Sequence, residues 1–345
     1  MTPFLVRIVL VIRRRSKFRN AHAHASRTVW DIVRWKLGLQ QSRRKSTIAG
    51  TIKLPAPTAR PPRAVPSIQN LSSSNPLDVA PAIAESAIEP IRLTWLGHST
   101  FLIQIDGRNI LTDPIFGDCR PLPYGRFRRV TPPGLRIDQL PPIHDVLISH
   151  SHYDHLDLPT IRALGSRVHY WVPKGLKAWF RKRGFRSCSE LAWWTSAPLS
   201  HELTLHCVPA QHGSARSLFD RNRTHWCGWV LKSEHRSIYF AGDTGYCPIF
   251  SEIGNRLGGF DLAMIPIGAY EPRWLMQTVH LNPAEAVQVH LDLGSKLSVA
   301  CHWGTFHLTD EDLREPPLIL EKECRAHGLG AKEFIVVKPG VTLEI

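Results

Sequence analysis

Apolar and polar positions change rhythm sharply near residue 91. From there the chain carries short apolar blocks at 92–95, 100–105 and 109–112, separated by Gly97-His98 and Asp106-Gly107. Blocks of that length between turn residues predict an antiparallel meander of short strands. Further strand-like runs follow at 145–149, 169–172, 203–209, 226–231, 237–241, 262–265, 297–301 and 334–337, and helix-compatible segments lie at 158–164, 175–183, 248–257, 283–293 and 317–327. An initial β block followed by alternating strands and helices predicts an α/β domain whose sheets are covered by helices. Before residue 91 this texture is missing. Residues 4–12 read FLVRIVLVI and are followed by Arg13, Arg14 and Arg15; 28–39 (TVWDIVRWKLGL) is helix-compatible; 42–90 is rich in Pro, Ser, Ala and Arg. A segment of that last composition buries too little surface to fold alone and reads as an extended linker. The expected division is an irregular basic extension and Pro-rich linker over 1–90 and one large domain over 91–345.

Charge sharpens this division. The 345 residues carry 43 Lys+Arg and 29 Asp+Glu, a net +14, but 15 of the basic and only 4 of the acidic residues fall in 1–90. The later domain holds the other 28 and 25. A near-neutral domain argues against a nucleic-acid partner, whose phosphates call for a basic face. The apolar-basic leader instead suits an anionic membrane surface, where each cation contributes about 1 kcal/mol. It lacks the order of a secretory signal, because its arginines follow the apolar run, and no run reaches the ~18–20 apolar residues of a spanning helix. The leader reads either as a solvated tail or as a peripheral membrane contact, with the cytoplasm as the expected compartment. Seven cysteines without a C-x-x-C pair indicate neither a disulfide scaffold nor a zinc ribbon.

The chemistry is concentrated just past the strand-like runs. Val146–Ser149 leads into His150-Ser151-His152-Tyr153-Asp154-His155, 205–210 into Gln211-His212, 238–241 into Gly242-Asp243-Thr244-Gly245, and 297–301 into His302-Trp303-Gly304. Strand-end loops on a rigid scaffold are where sites are built, and two facing sheets would bring these groups to one rim. Three imidazoles and a carboxylate in six residues are hard to satisfy in a buried turn without a cation; the alternative is a hydrogen-bonded surface turn. His150 and His152 can face one metal, and Asp154 and His155 a second. His212 and His302 can add one nitrogen to each, with Asp243 as a bridge. Such ligands suit Zn²⁺, and by type also Fe²⁺ or Mn²⁺.

H-x-H-x-D-H with the later His212, Asp243 and His302 resembles the metallo-β-lactamase superfamily. The strings 95–100 (WLGHST), 111–116 (LTDPIF), 240–248 (FAGDTGYCP), 265–274 (IPIGAYEPRW) and 302–306 (HWGTF) resemble, more narrowly, the N-acyl-phosphatidylethanolamine-hydrolysing phospholipase D family. Phe18-Arg19-Asn20 and the Trp30/Trp35 stretch are similar to that family's lead-in segment. The resemblance implies an αβ/βα sandwich, two facing mixed sheets flanked by helices, over about 91–345. It implies two Zn²⁺ per chain, one held by His150, His152 and His212 and one by Asp154, His155 and His302, with Asp243 shared. It also implies a phospholipid substrate cut to phosphatidic acid and an N-acylethanolamine, and a homodimer. Tyr153 and His280 match positions at the substrate phosphate. Val279 stands where animal members tend to carry Gln.

Other residues have two readings each on spacing. Asp154 both binds metal and orients the nucleophile. His280 either donates a proton or hydrogen bond at the phosphate or is a solvated residue ahead of Asn282-Pro283, and the resemblance favours the former. Asp113 is expected behind a metal-binding histidine, or as a turn cap. His98 either lines the site or caps a turn. Arg273 either binds phosphate or pairs internally with Glu271 or another acid. Trp193, Trp194 and Trp303 read as core. The leading function is a lipid phosphodiesterase; a soluble di-metal hydrolase of a lactone or small phosphate ester is second and a nuclease third.

Overall fold

The computed structural model describes residues 18–22, 29–36, 38, 90–120, 126–217 and 219–345. The apolar-basic run at 4–15 and the linker at 42–89 lie outside the described residues. Two seven-stranded sheets form the frame. The first contains β1 (Arg92–Gly97), β2 (Thr100–Ile105), β3 (Arg108–Thr112), β4 (Asp145–Leu147), β5 (His169–Pro173) and β6 (Cys188–Leu191) in spatial order, with β14 (Thr342–Glu344) outside β1. The second runs from β7 (Thr195–Pro198) through β8 (Thr204–Val208), β9 (Gly228–Lys232), β10 (Ser237–Phe240), β11 (Leu262–Pro266) and β12 (Leu297–Cys301) to β13 (Phe334–Ile335). Each sheet begins as an antiparallel meander and changes to parallel pairing midway, at β3–β4 and at β10–β11.

Alternation of side chains across each strand explains the layering. Phe101, Ile103 and Ile105 of β2 and Ile238 and Phe240 of β10 share the core between the sheets with Trp95 and Trp229. Their neighbours point outward: Leu102 joins Val146, Ile161 and Phe180 beneath α2 (Leu158–Leu164) and α3 (Lys177–Arg181). Tyr239 joins Phe250, Ile253, Val287 and Leu320 beneath α4 (Ile249–Leu257), α6 (Pro283–Leu293) and α7 (Glu315–Ala326). The result is the expected helix–sheet–sheet–helix sandwich. A side chain of Leu, Ile or Phe size fully buried in it contributes roughly 1.5–3 kcal/mol.

Three strands without a counterpart in the sequence reading, β6, β7 and β14, all flank their sheets. They are three or four residues long, too short for a period to show, and β7 contains Pro198, which is tolerated at an edge. The four-residue α5 (Arg273–Met276) is missed for the same reason. The segment expected as a helix over 28–39 forms α1 (Val29–Lys36), whose Trp35 Nε1 donates to Asp310 Oδ2 at 2.8 Å. Trp193 and Trp303 pack against the central core. Trp194 departs from expectation: it is 37% exposed, and the Arg256 guanidinium lies 4.3 Å above its ring. All seven cysteines are buried and unbridged. Among the described residues no helix is long and apolar enough to cross a membrane.

Candidate metal centre

The chemistry-bearing residues gather where the two sheets' strands end. Residues 150–155 follow β4, His212 follows β8, Asp243 follows β10 and His302 follows β12; His98 and Asp113 follow β1 and β3. Left-handed backbone turns these groups inward: His98, Asp113 and His302 have φ of 54°, 34° and 59°. Each such non-glycine residue costs about 1–3 kcal/mol and persists where the surroundings hold it. Gly242, directly before Asp243, also has positive φ, and a Cβ there would lie 2.5 Å from that of Ser149. Only glycine lets the two sheets' loops pass so closely.

Two donor groups result. In the first, His150 Nε2 and His212 Nε2 lie 2.8 and 3.1 Å from His152 Nδ1. In the second, His155 Nε2, His302 Nε2 and His98 Nε2 lie 3.2, 3.5 and 3.0 Å from Asp154 Oδ2. Each group offers one ligand atom per residue within 4.8 Å of the others. Asp243 faces both: Oδ2 is 3.9 and 3.7 Å from His150 and His212 and 3.2 Å from His155, while Oδ1 is 3.2 Å from His302. His280 Nδ1 lies 3.8 Å from Asp243 Oδ2, and its ring is half-buried.

A further set of contacts orients the imidazoles. Asp113 is fully buried, accepting from Ser149 N and Oγ at 2.6 and 2.5 Å and contacting His155 Nδ1 at 2.7 Å. Ser149 Oγ also meets His150 Nδ1 at 2.9 Å, so one carboxylate steadies a residue of each donor group. His212 Nδ1 bonds Val279 O at 2.9 Å. Neither Ser149 nor the Val279 carbonyl has a chemical signature in sequence; Ser149 is marked only by its place directly before His150. Arg216 is a third such residue. Its Nη1 donates to Ser151 O and Leu156 O at 2.9 and 2.8 Å, and its guanidinium lies 3.9 Å over Tyr153, holding the histidine-rich loop from outside.

Electrostatics separates the groups. Burial, helped by the neighbouring His155, His152 and His212, holds His150 well below the ordinary imidazole range. Burial also lowers His155, yet Asp243, Asp154 and Asp113 outweigh it and raise that ring well above 6.5. His302 is likewise pushed up to about 9, burial being outweighed chiefly by Asp243. Asp154 and Asp243 lie well below the usual carboxylate range: burial opposes this, and the nearby imidazoles, His155 first, outweigh it. His98 is lowered to about 3, by burial and then by His302.

The expected residues thus converge, with His98 inside the second donor group, and two others are engaged elsewhere. Arg273 Nη2 is held bidentately by Glu285 at 2.7 and 2.9 Å, and Nη1 donates to His280 O at 3.1 Å. The pairing acid is therefore Glu285 and not Glu271, whose carboxylate accepts from the Arg273 backbone N–H instead, and Arg273 braces the His280 backbone. Tyr153 Oη donates to Arg216 O at 2.9 Å. His155 Nε2, His302 Nε2 and Asp243 Oδ1 are buried yet make no hydrogen bond among the described residues. Buried polar atoms are seldom left so, and a divalent cation between them fits both their chemistry and their convergence.

Residues 108–303 match the family described as the beta-lactamase superfamily domain. The N-acyl-phosphatidylethanolamine-hydrolyzing phospholipase D 1 of Caenorhabditis elegans is 40% identical over 237 residues, 65% of this chain and 67% of that protein. The mitochondrial yeast protein of the same name (Saccharomyces cerevisiae) is 37% identical over 240 residues, 67% of this chain but only 51% of that protein. Among solved structures, an isothiocyanate hydrolase from Delia radicum gut bacteria shares the fold at a TM-score of 0.60 and 20% identity, covering 73% of this chain and 98% of that one. The chain belongs to the metallo-β-lactamase superfamily and, within it, to the N-acyl-phosphatidylethanolamine-hydrolysing phospholipase D family.

Proposed function

We propose that this metal-dependent hydrolase cuts the headgroup phosphodiester of N-acylphosphatidylethanolamine at a membrane surface, releasing phosphatidic acid and an N-acylethanolamine. The observation that carries the reading is the pair of donor groups, His150, His152 and His212 on one side and His98, Asp154, His155 and His302 on the other, with the carboxylate of Asp243 facing both. The relatives that bear this activity in their names support the choice of substrate.

Imidazole and carboxylate donors fit two Zn²⁺: His150, His152 and His212 would hold one, Asp154, His155 and His302 the other, and Asp243 both. When bound, such a pair supplies a hydroxide nucleophile at neutral pH and neutralises charge on the phosphodiester. The remaining steps fall to the chain's own side chains. Asp113 and the Val279 carbonyl keep His155 and His212 in the orientation and tautomer that ligation needs. Asp154, within reach of His98, His155 and His302, orients the attacking oxygen. Attack on phosphorus breaks the bond to the headgroup oxygen, and that leaving alkoxide must gain a proton. His280, half-buried beside Asp243, is the donor, and Arg273 fixes it by holding its carbonyl. The leader's excess of 15 basic over 4 acidic residues favours an anionic bilayer as the place of action.

Liposomes containing N-acylated or plain phosphatidylethanolamine, with Asp243→Asn as the inactive control, test this directly. Release of N-acylethanolamine from the first liposomes alone is expected. Inactivity on both lipids alongside turnover of a water-soluble phosphodiester would reject the lipid assignment and leave the soluble hydrolase.

A further inference from the structure

Residues 18–22 lie far in sequence from every metal-ligating motif, yet they close on the loop that presents His212. Asn20 meets the main chain of that residue at two points: its Nδ2 donates to His212 O at 3.0 Å, and its Oδ1 accepts from His212 N at 3.1 Å. The same Oδ1 accepts from Trp226 Nε1 at 3.0 Å, an indole that also bonds Ala210 O at 2.9 Å. A primary amide is the side-chain group that carries donor and acceptor side by side, so it can pair with both halves of a peptide backbone at once.

The flanking contacts hold Asn20 in place. Phe18 N donates to Asn222 O at 3.1 Å, and the Phe18 ring stacks on His225 (4.4 Å, 22°), which stacks in turn on Trp193 (4.1 Å, 29°). Asn222 then grips the far end of the His212 loop, donating from N to Ser214 O at 2.7 Å and accepting at Oδ1 from Ser214 N at 3.0 Å. The His212 ring is fixed from the other side through Nδ1 and Val279 O. Ring and backbone are therefore held by different parts of the chain, and the backbone side belongs to the leader.

We propose that Asn20 is a positioning residue of the metal centre, fixing the His212 backbone so that Nε2 stays with His150 and His152. The leader is then a built-in part of the site as well as a route to the membrane. This inference rests on the reading of His212 as a metal ligand.

Zinc retention by the full-length chain against a competing chelator tests it, for Asn20→Leu, His212→Ala and the double variant. Partners behind a metal ligand typically contribute about 10–100-fold to metal affinity. Asn20→Leu is expected to weaken one of the two zinc ions by about that factor, leave the other unchanged, and add little on the His212→Ala background. Unchanged affinity in Asn20→Leu, or an equal loss on both backgrounds, would overturn the proposal, since a merely structural role costs the same whether or not His212 is present. Asn20→Asp, nearly isosteric but without the donor, carries the same expectation should Asn20→Leu not fold. If His212→Ala itself left both zinc ions unaffected, the ligand assignment would be at fault.

Discussion

The two donor groups share Asp243 and use the same kinds of side chain, but they balance charge in opposite ways. Around His150, His152 and His212, burial and neighbouring imidazoles keep His150 neutral, so nitrogen atoms converge without protons to mediate between all of them. Around Asp154, His155 and His302, carboxylates outweigh burial and favour protonated rings, so this group can neutralise itself with protons. Without metal, one half is left with neutral imidazoles alone, whereas the other can offset its carboxylates with protons even though its buried His155 Nε2 and His302 Nε2 make no hydrogen bond among the described residues. Loss of metal should therefore disturb the halves unequally.

The largest effect should come from the residue both halves share. Asp243→Asn removes a buried charge paired to imidazoles on each side, a change that costs about 3–5 kcal/mol in comparable settings. Turnover should fall on the order of 10²–10³-fold, with elemental analysis showing fewer than two metal ions per chain. Full metal content with the activity intact would break the comparison, because neither half would then need the shared carboxylate.

Asp113→Asn should separate the halves. It weakens the acceptor on His155 Nδ1 directly and reaches His150 only through Ser149. Metal affinity should drop about 10–100-fold, and the ion held by the Asp154 group should leave first in a chelator titration. Equal loss of both ions would show the halves to be one cooperative unit.

The smallest effect is on the stability of the metal-stripped chain against pH. His150, lowered in the folded state, contributes stability above its unfolded value of 6.5 that is lost as pH falls. His302, raised to about 9, contributes stability that is full below 6.5 and is lost as pH climbs through 9. Denaturant midpoints should peak near pH 6.5 and decline on both sides, each group by at most about 1.4 kcal/mol per pH unit. Metal loading should abolish the alkaline arm, because a ligated His302 is neutral at every pH on that side.

The seven metal-binding candidates were legible in sequence because each directly follows a run long enough to read as a strand, and because few structures other than a metal site accommodate such a string as 150–155. The inner strands were legible for a related reason: both faces are buried, so their apolar runs stand out. What stayed hidden depends on contacts between distant segments. Ser149 and Arg216 are ordinary residues: the role of the first appears only when the ends of β3 and β4 meet, and that of the second when the loops after β4 and β8 meet. Arg273 carries a charge suited to phosphate, but Glu285, twelve positions later, takes it. The edge strands β6, β7 and β14 have too few residues for alternation to distinguish them from loops.

One of those edges determines when the site can mature. β14 pairs with β1, with Arg92 bonded to Glu344 252 positions later, and Ile91 and Ile345 exchange two backbone hydrogen bonds at 3.0 Å. During synthesis the meander that carries His98 at its end must wait with an unpaired border until residues 342–345 have left the ribosome. Contacts so distant along the chain slow folding, and an open apolar border invites pairing with other chains in the meantime. The closing strand therefore acts as a late seal, and deleting residues 342–345 should lower soluble yield before it touches the chemistry.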